Sequence, residues 1–146
     1  MPLTGFEAIR LPPMNDPLIK THPHQILIVD DHPVNQLVLA AMLAELGFDA
    51  DTANSGLEAI EMAADRHYDL IFMDIQMPIM DGYETTRQLR KIPLHLTTPV
   101  IAITASTIDS QVRRRCENCM DELLGKPFES AELKTLLERW LQFVTD

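Results

Sequence analysis

Ile26-Leu27-Ile28-Val29-Asp30-Asp31 decides the reading of this chain, because four consecutive apolar residues run directly into two carboxylates. An apolar run without polar alternation is the pattern of a strand covered on both faces. Two more runs of the same kind follow, Leu70-Ile71-Phe72-Met73 ending in Asp74 and Val100-Ile101-Ala102-Ile103 ending in Thr104. Phe48-Asp49-Ala50-Asp51-Thr52 alternates instead and follows Gly47, so it reads as an edge strand after a helix terminus. Leu123-Leu124 before Gly125 reads as a short fifth strand.

Segments of helical period fill the intervals. Val34 to Leu46 carries Leu37, Ala41 and Ala44 on one stripe, with Pro33 suited to a first turn. Ser55-Gly56-Leu57-Glu58 has the spacing of a capping box, opening a helix that runs to about Arg66. A third helix follows Gly82, a fourth spans Thr107 to Cys119, and the last, Ser130 to Phe143, buries Leu133, Leu136, Leu137, Trp140 and Leu141. Alternating strands and helices predict βαβ units and a parallel sheet, an α/β fold.

The 146 residues suffice for about one domain. Residues 1–24 hold five of the ten prolines and no apolar period, so they read as a linker or tail, with the domain proper at 25–146. The net charge of −10 falls wholly on that domain and disfavours nucleic-acid or anionic-membrane partners, which require a basic surface. No apolar run approaches the roughly 18 residues that cross a bilayer, and no basic stretch with an apolar core follows Met1 as in a secretory signal. Two cysteines, Cys116 and Cys119, fit a reducing compartment, and a cytoplasmic location is expected.

In an open parallel sheet the ligand crevice lies at the carboxyl ends of the strands. There the sequence places Asp30 and Asp31, Asp74, Thr104 and, after the fifth strand, Lys126-Pro127. Three crowded carboxylates repel unless a cation joins them. All-oxygen donors select a hard ion, so Mg²⁺ is expected, with Mn²⁺ able to substitute. A carboxylate beside Mg²⁺, a hydroxyl and an ammonium is equipped to accept a phosphoryl group as an aspartyl phosphate.

Val29-Asp30-Asp31, Met73-Asp74-Ile75-Gln76-Met77-Pro78, Met80-Asp81-Gly82, Ala102-Ile103-Thr104-Ala105 and Lys126-Pro127-Phe128 stand in an order and spacing that resemble a response-regulator receiver domain over residues 25–143. The resemblance implies a flavodoxin-like doubly wound (βα)5 fold with strand order 2-1-3-4-5. It implies that Asp74 is the phosphoacceptor, Asp31 a direct metal ligand, Asp30 a ligand through water and Gln76 a ligand through its backbone carbonyl. Thr104 and Lys126 would each hold a phosphoryl oxygen, with the Lys126–Pro127 bond cis. The donor would be the phosphohistidine of a histidine kinase core, in cis or in trans. Such domains switch with an aromatic three residues before the lysine, and here that position is Leu123.

The Pro-rich lead and Asp31-His32-Pro33-Val34-Asn35 resemble receivers attached to hybrid sensor histidine kinases, which pass the phosphoryl group to a histidine phosphotransfer domain. With few residues after the last helix, a basic DNA-binding effector is not expected. On this reading the parent can be membrane-bound while this domain makes no direct membrane contact. The partner face is expected on the first helix, near Asn35, Gln36 and Leu39. Gln76 and Ser106 flank the path of attacking water, and neither is an acid, so hydrolysis over minutes or longer is expected. Alternatives are a free-standing single-domain regulator and a pseudo-receiver that takes no phosphate. A phosphatase of the haloacid-dehalogenase kind needs a second acid where Gln76 stands. His32 reads as a residue at the rim where the helix starts, Arg113-Arg114-Arg115 as a solvated or partner-facing turn, and Met73, Met77 and Met80 as apolar filler. Cys116 and Cys119 lack the further ligands that zinc needs.

Overall fold

The computed structural model describes residues 24–105 and 108–141. Five strands, β1 (Ile26–Val29), β2 (Ala50–Ala53), β3 (Leu70–Asp74), β4 (Val100–Thr104) and β5 (Glu122–Gly125), alternate with five helices. These are α1 (Pro33–Glu45), α2 (Gly56–Asp65), α3 (Gly82–Leu89), α4 (Ser110–Cys119) and α5 (Ser130–Leu141). All strand pairs are parallel, in the order β2-β1-β3-β4-β5. This is the expected doubly wound α/β fold. The Pro-rich segment assigned to residues 1–24 lies outside the described residues except for His24, as do Ser106, Thr107 and Phe143.

The continuous apolar runs are central strands because each side of them meets a helix layer. Leu27, Val29, Ile71 and Met73 face a core shared with Ala59, Ala63 and Tyr83 of α2 and α3, and with Cys116 of α4. Ile26, Ile28, Phe72 and Ile101 face the opposite core, with Leu39 and Leu43 of α1 and Leu133, Leu136 and Leu137 of α5. Trp140 and Leu141 are only partly buried against it.

Three expectations need correction. The buried stripe of α1 is Gln36, Leu39 and Leu43, whereas Leu37, Ala41 and Ala44 face solvent. That helix is apolar almost all round, so its period does not tell the inner face from the outer. The second strand starts at Ala50 rather than Phe48, because Phe48 still belongs to the end of α1. Its N–H donates to the Leu43 carbonyl (2.9 Å) and that of Gly47 to Ala44 (3.0 Å), a Schellman motif with Gly47 at φ 94°. The fourth helix begins at Ser110, where the Asp109 carboxylate accepts the Val112 N–H at 2.8 Å.

A short 3₁₀ turn, Pro93–His95, went unremarked in the sequence. It buries His95 completely, with Nδ1 2.9 Å from Thr98 Oγ1 and Nε2 3.1 and 3.0 Å from the carbonyl oxygens of Ala63 and Arg66. The ring thereby satisfies orphan carbonyls at the end of α2.

Candidate phosphoacceptor and metal site

The strands deliver their last residues to one end of the sheet. Asp30 follows β1, Asp74 ends β3, Thr104 ends β4 and Lys126 follows β5. Asp30, Asp74 and Lys126 line one cavity of about 450 Å³, floored by apolar residues that include Leu39, Phe72 and Phe128. Carboxylate oxygens of Asp30, Asp31 and Asp74 and a ring nitrogen of His32 all lie within 4.8 Å of one another. Lys126 Nζ is 3.7 Å from Asp30 Oδ2.

Local bonds hold each group in place. The Gln76 N–H donates to Asp74 Oδ1 (3.1 Å) and the His32 N–H to Asp30 Oδ1 (2.9 Å), so the chain turns back on each carboxylate as it leaves the strand. The bond to Asp74 sets the Gln76 peptide beside the cluster, while the Gln76 side chain is exposed. Lys126 N–H donates to the Thr104 carbonyl at 2.8 Å, extending the β4–β5 ladder to the lysine. Thr104 is buried next to Ile103, which pairs in register with Asp74. The Lys126–Pro127 peptide is cis.

Gly82 at the start of α3 is required by close approach. A Cβ there would stand 2.5 Å from the Asp74 carbonyl oxygen and 2.7 Å from Ile75 Cα. Its N–H donates to the Ile75 carbonyl (3.2 Å), so α3 begins directly against the backbone of the strand end.

Asp74 is 9% exposed. Burial pushes its carboxyl up to about 6 from 3.8, with the charges of Asp30 and Asp31 adding to the rise. The Gln76 N–H and the Lys126 ammonium act the other way. Asp31 Oδ1 is buried and accepts no hydrogen bond, although His32 Nδ1 stands 3.1 Å away. Crowded carboxylates, one with an unsatisfied buried oxygen, fit a divalent cation that supplies the missing positive charge.

Two residues play parts the sequence reading did not give them. Gln36 was placed on the partner face, but its buried Nε2 donates to the Asp30 carbonyl (2.6 Å) and to Asn54 Oδ1 (2.8 Å), tying α1 to the ends of β1 and β2. Leu39, placed there too, is buried. His32 stands at the start of α1 as expected, yet its ring reaches the carboxylates. Of the remaining motifs, Cys116 is buried and Cys119 partly so, both as free thiols. Arg115 stacks on the Tyr83 ring at 3.8 Å, joining α4 to α3. Leu123, at the position of the switch aromatic, is partly buried against the core beneath α4.

The family model described as response regulator receiver domain matches residues 26–138. This chain is a receiver domain of that family. The sensor histidine kinase RcsC of Escherichia coli K12 is 40% identical over 119 residues, covering 82% of this chain and 12% of the kinase. The receiver domain thus spans about an eighth of the length of such relatives. Among solved structures, the receiver domain of sensor histidine kinase PA1611 from Pseudomonas aeruginosa PAO1 is 38% identical. It superposes with a TM-score of 0.76 over 83% of this chain and 99% of that one, and its crystal structure has a magnesium ion coordinated in the active-site cleft. Vibrio cholerae chemotaxis protein CheY4 is 27% identical, with a TM-score of 0.77 over 82% of this chain and 99% of its own. Among the described residues no helix of this receiver is long and apolar enough to cross a membrane.

Proposed function

We propose that this receiver domain takes a phosphoryl group from the phosphohistidine of a histidine kinase core onto Asp74 and passes it to a histidine phosphotransfer domain. The observation that carries the reading is the convergence of Asp30, Asp31 and Asp74 with the Lys126 ammonium at the strand ends, three of these four lining one cavity. Asp30, Asp31, Asp74 and the Gln76 carbonyl would hold Mg²⁺, or Mn²⁺ in its place. The bound cation would neutralise the carboxylates and the phosphoryl oxygens. An Asp74 carboxylate oxygen attacks phosphorus, the acyl-phosphate bond forms and the P–N bond breaks, its electron pair staying on the imidazole, which leaves neutral by keeping the proton already on its other ring nitrogen. Lys126, now beside Asp30, pairs with one phosphoryl oxygen, and Thr104 donates to another.

The kinship with hybrid sensor kinases supports a place in a phosphorelay, with this domain on the cytoplasmic side of a parent kinase. For the phosphotransfer partner α1 offers Val34, Leu37 and Val38, which are 68%, 70% and 54% exposed, and Val38 also lines the cavity. An apolar helix face of the partner fits such a ridge.

Incubation with a small-molecule phosphodonor and Mg²⁺, read by intact mass, should add about 80 Da to the wild type and nothing to Asp74→Asn. Lys126→Met should keep the fold and lose most labelling. Leu37→Asp should label normally yet transfer slowly to a phosphotransfer domain. Labelling that persists in Asp74→Asn would refute the assignment of the acceptor.

A further inference from the structure

The ring of His32 lies beside the carboxylate cluster. As the N-cap of α1 (φ −106°, ψ 116°) the residue makes no side-chain capping bond. Its backbone N–H is held on Asp30 Oδ1 at 2.9 Å. The ring turns toward the carboxylates instead, with Nδ1 3.1 Å from Asp31 Oδ1 and 3.6 Å from Asp30 Oδ1. Asp31 Oδ1, which faces it, is the buried oxygen that accepts no hydrogen bond.

These spacings are those of donors sharing one ion. Two adjacent ligands of an octahedral cation at about 2.1 Å stand about 3.0 Å apart, and two opposite ligands about 4.2 Å. The 3.1 and 3.6 Å separations fall within that span, while the bound of 4.8 Å on all four donor atoms is wider, so an ion held by all four would draw the cluster inward. Imidazole nitrogen contributes little to Mg²⁺, which prefers oxygen, but much to Ni²⁺, Zn²⁺ and their neighbours.

We propose that Nδ1 of His32 joins the carboxylates of Asp30, Asp31 and Asp74 and the Gln76 carbonyl as a fifth protein donor, converting an all-oxygen site into a mixed nitrogen–oxygen site that favours first-row transition-metal dications over Mg²⁺. This rests on the reading that the cluster holds a divalent cation.

The test is calorimetric titration of the untagged full chain with Mg²⁺ and with Ni²⁺, for wild type, His32→Ala and His32→Asn. Only the Ni²⁺ binding that is weakened by competing Mg²⁺ is counted, which separates this site from other histidines. Losing a direct ligand should weaken that Ni²⁺ binding by about tenfold or more, while Mg²⁺ binding changes by less than about twofold. In NMR spectra the hyperfine-shifted ring N–H signal produced by Ni²⁺ should vanish in both variants. Thermal unfolding of the two variants shows whether each is folded, and either one suffices. Equal Ni²⁺ affinity in wild type and variants, with Mg²⁺ still binding all three, would overturn the role of His32 and leave the carboxylate site standing. Wild type that binds neither ion would overturn both. Apparent Ni²⁺ affinity that is unchanged by saturating Mg²⁺ would overturn the shared site.

Discussion

Replacing Asp74 by Asn should stabilise the metal-free domain, in a manner that depends on pH. The folded carboxyl titrates at about 6 against 3.8 for an ordinary one, because it is buried among Asp30 and Asp31. The folded state therefore holds this proton more tightly than the unfolded chain does. Wild-type stability accordingly falls as pH rises from about 4 through 6, and the whole cost is present above that window. At about 1.4 kcal/mol per pH unit the displacement corresponds to about 3 kcal/mol, lessened where the structure relaxes around the charge. Asn keeps an acceptor for the Gln76 N–H, now 3.1 Å from Asp74 Oδ1, and removes the charge. Urea unfolding in EDTA should show the variant about 1–3 kcal/mol more stable at pH 8, with the gap closing as pH falls to 4. Saturating Mg²⁺ should narrow or reverse the difference, since binding stabilises the wild type more. A variant less stable than wild type at pH 8 in EDTA, or a gap that is flat between pH 4 and 8, would refute the electrostatic account.

The tight start of α3 makes a second prediction: Gly82→Ala drives a methyl against the Asp74 carbonyl and Ile75 Cα, both backbone atoms. It should cost about 1–3 kcal/mol in thermal unfolding and abolish labelling of Asp74. Gln36→Leu strips donors from the Asp30 carbonyl and Asn54. Destabilisation of about 1–3 kcal/mol is expected, with weaker Mg²⁺ binding by calorimetry; unchanged metal affinity would show that the tether does not position Asp30. Ile79 stands fully exposed at φ 71°, with the Met80 N–H on the Pro78 carbonyl at 2.7 Å, the arrangement of a γ-turn. Ile79→Gly should raise stability by up to about 1 kcal/mol in urea titration, because glycine has no Cβ to strain at this φ and no burial is lost.

The central strands and their polar ends were legible because burial on both faces forces β1, β3 and β4 to be apolar throughout. Asp30, Asp74 and Thr104 therefore mark where each run meets the crevice. Lys126 was legible by its place after the last strand. The inner face of α1 was not, since Leu37 and Leu39 are chemically alike and only tertiary packing separates them. Gln36 was hidden for the converse reason: a polar residue in a helix reads as exposed unless its partners, here distant in sequence, are known. His95 escaped notice likewise, because the carbonyls it satisfies at Ala63 and Arg66 lie about thirty residues earlier. Phe48 obscured the start of β2 by closing the helix before it.

Arg90, just past α3, binds the carbonyls of His95 and Thr98 with one guanidinium nitrogen and the Cys119 carbonyl and Asp121 carboxylate with the other. Asp121 in turn accepts the Val100 N–H at 2.8 Å. The foot of α4 is thus pinned at the end of the sheet opposite the phosphoacceptor, while its head lies on the side of Thr104. A rod fastened at its foot and braced midway, where Arg115 stacks on Tyr83, answers a push at its head by tilting. A displacement at the Thr104 end of the sheet would therefore reach the outer surface as an angular sweep of α4, greatest near Asp109 and least at Cys119.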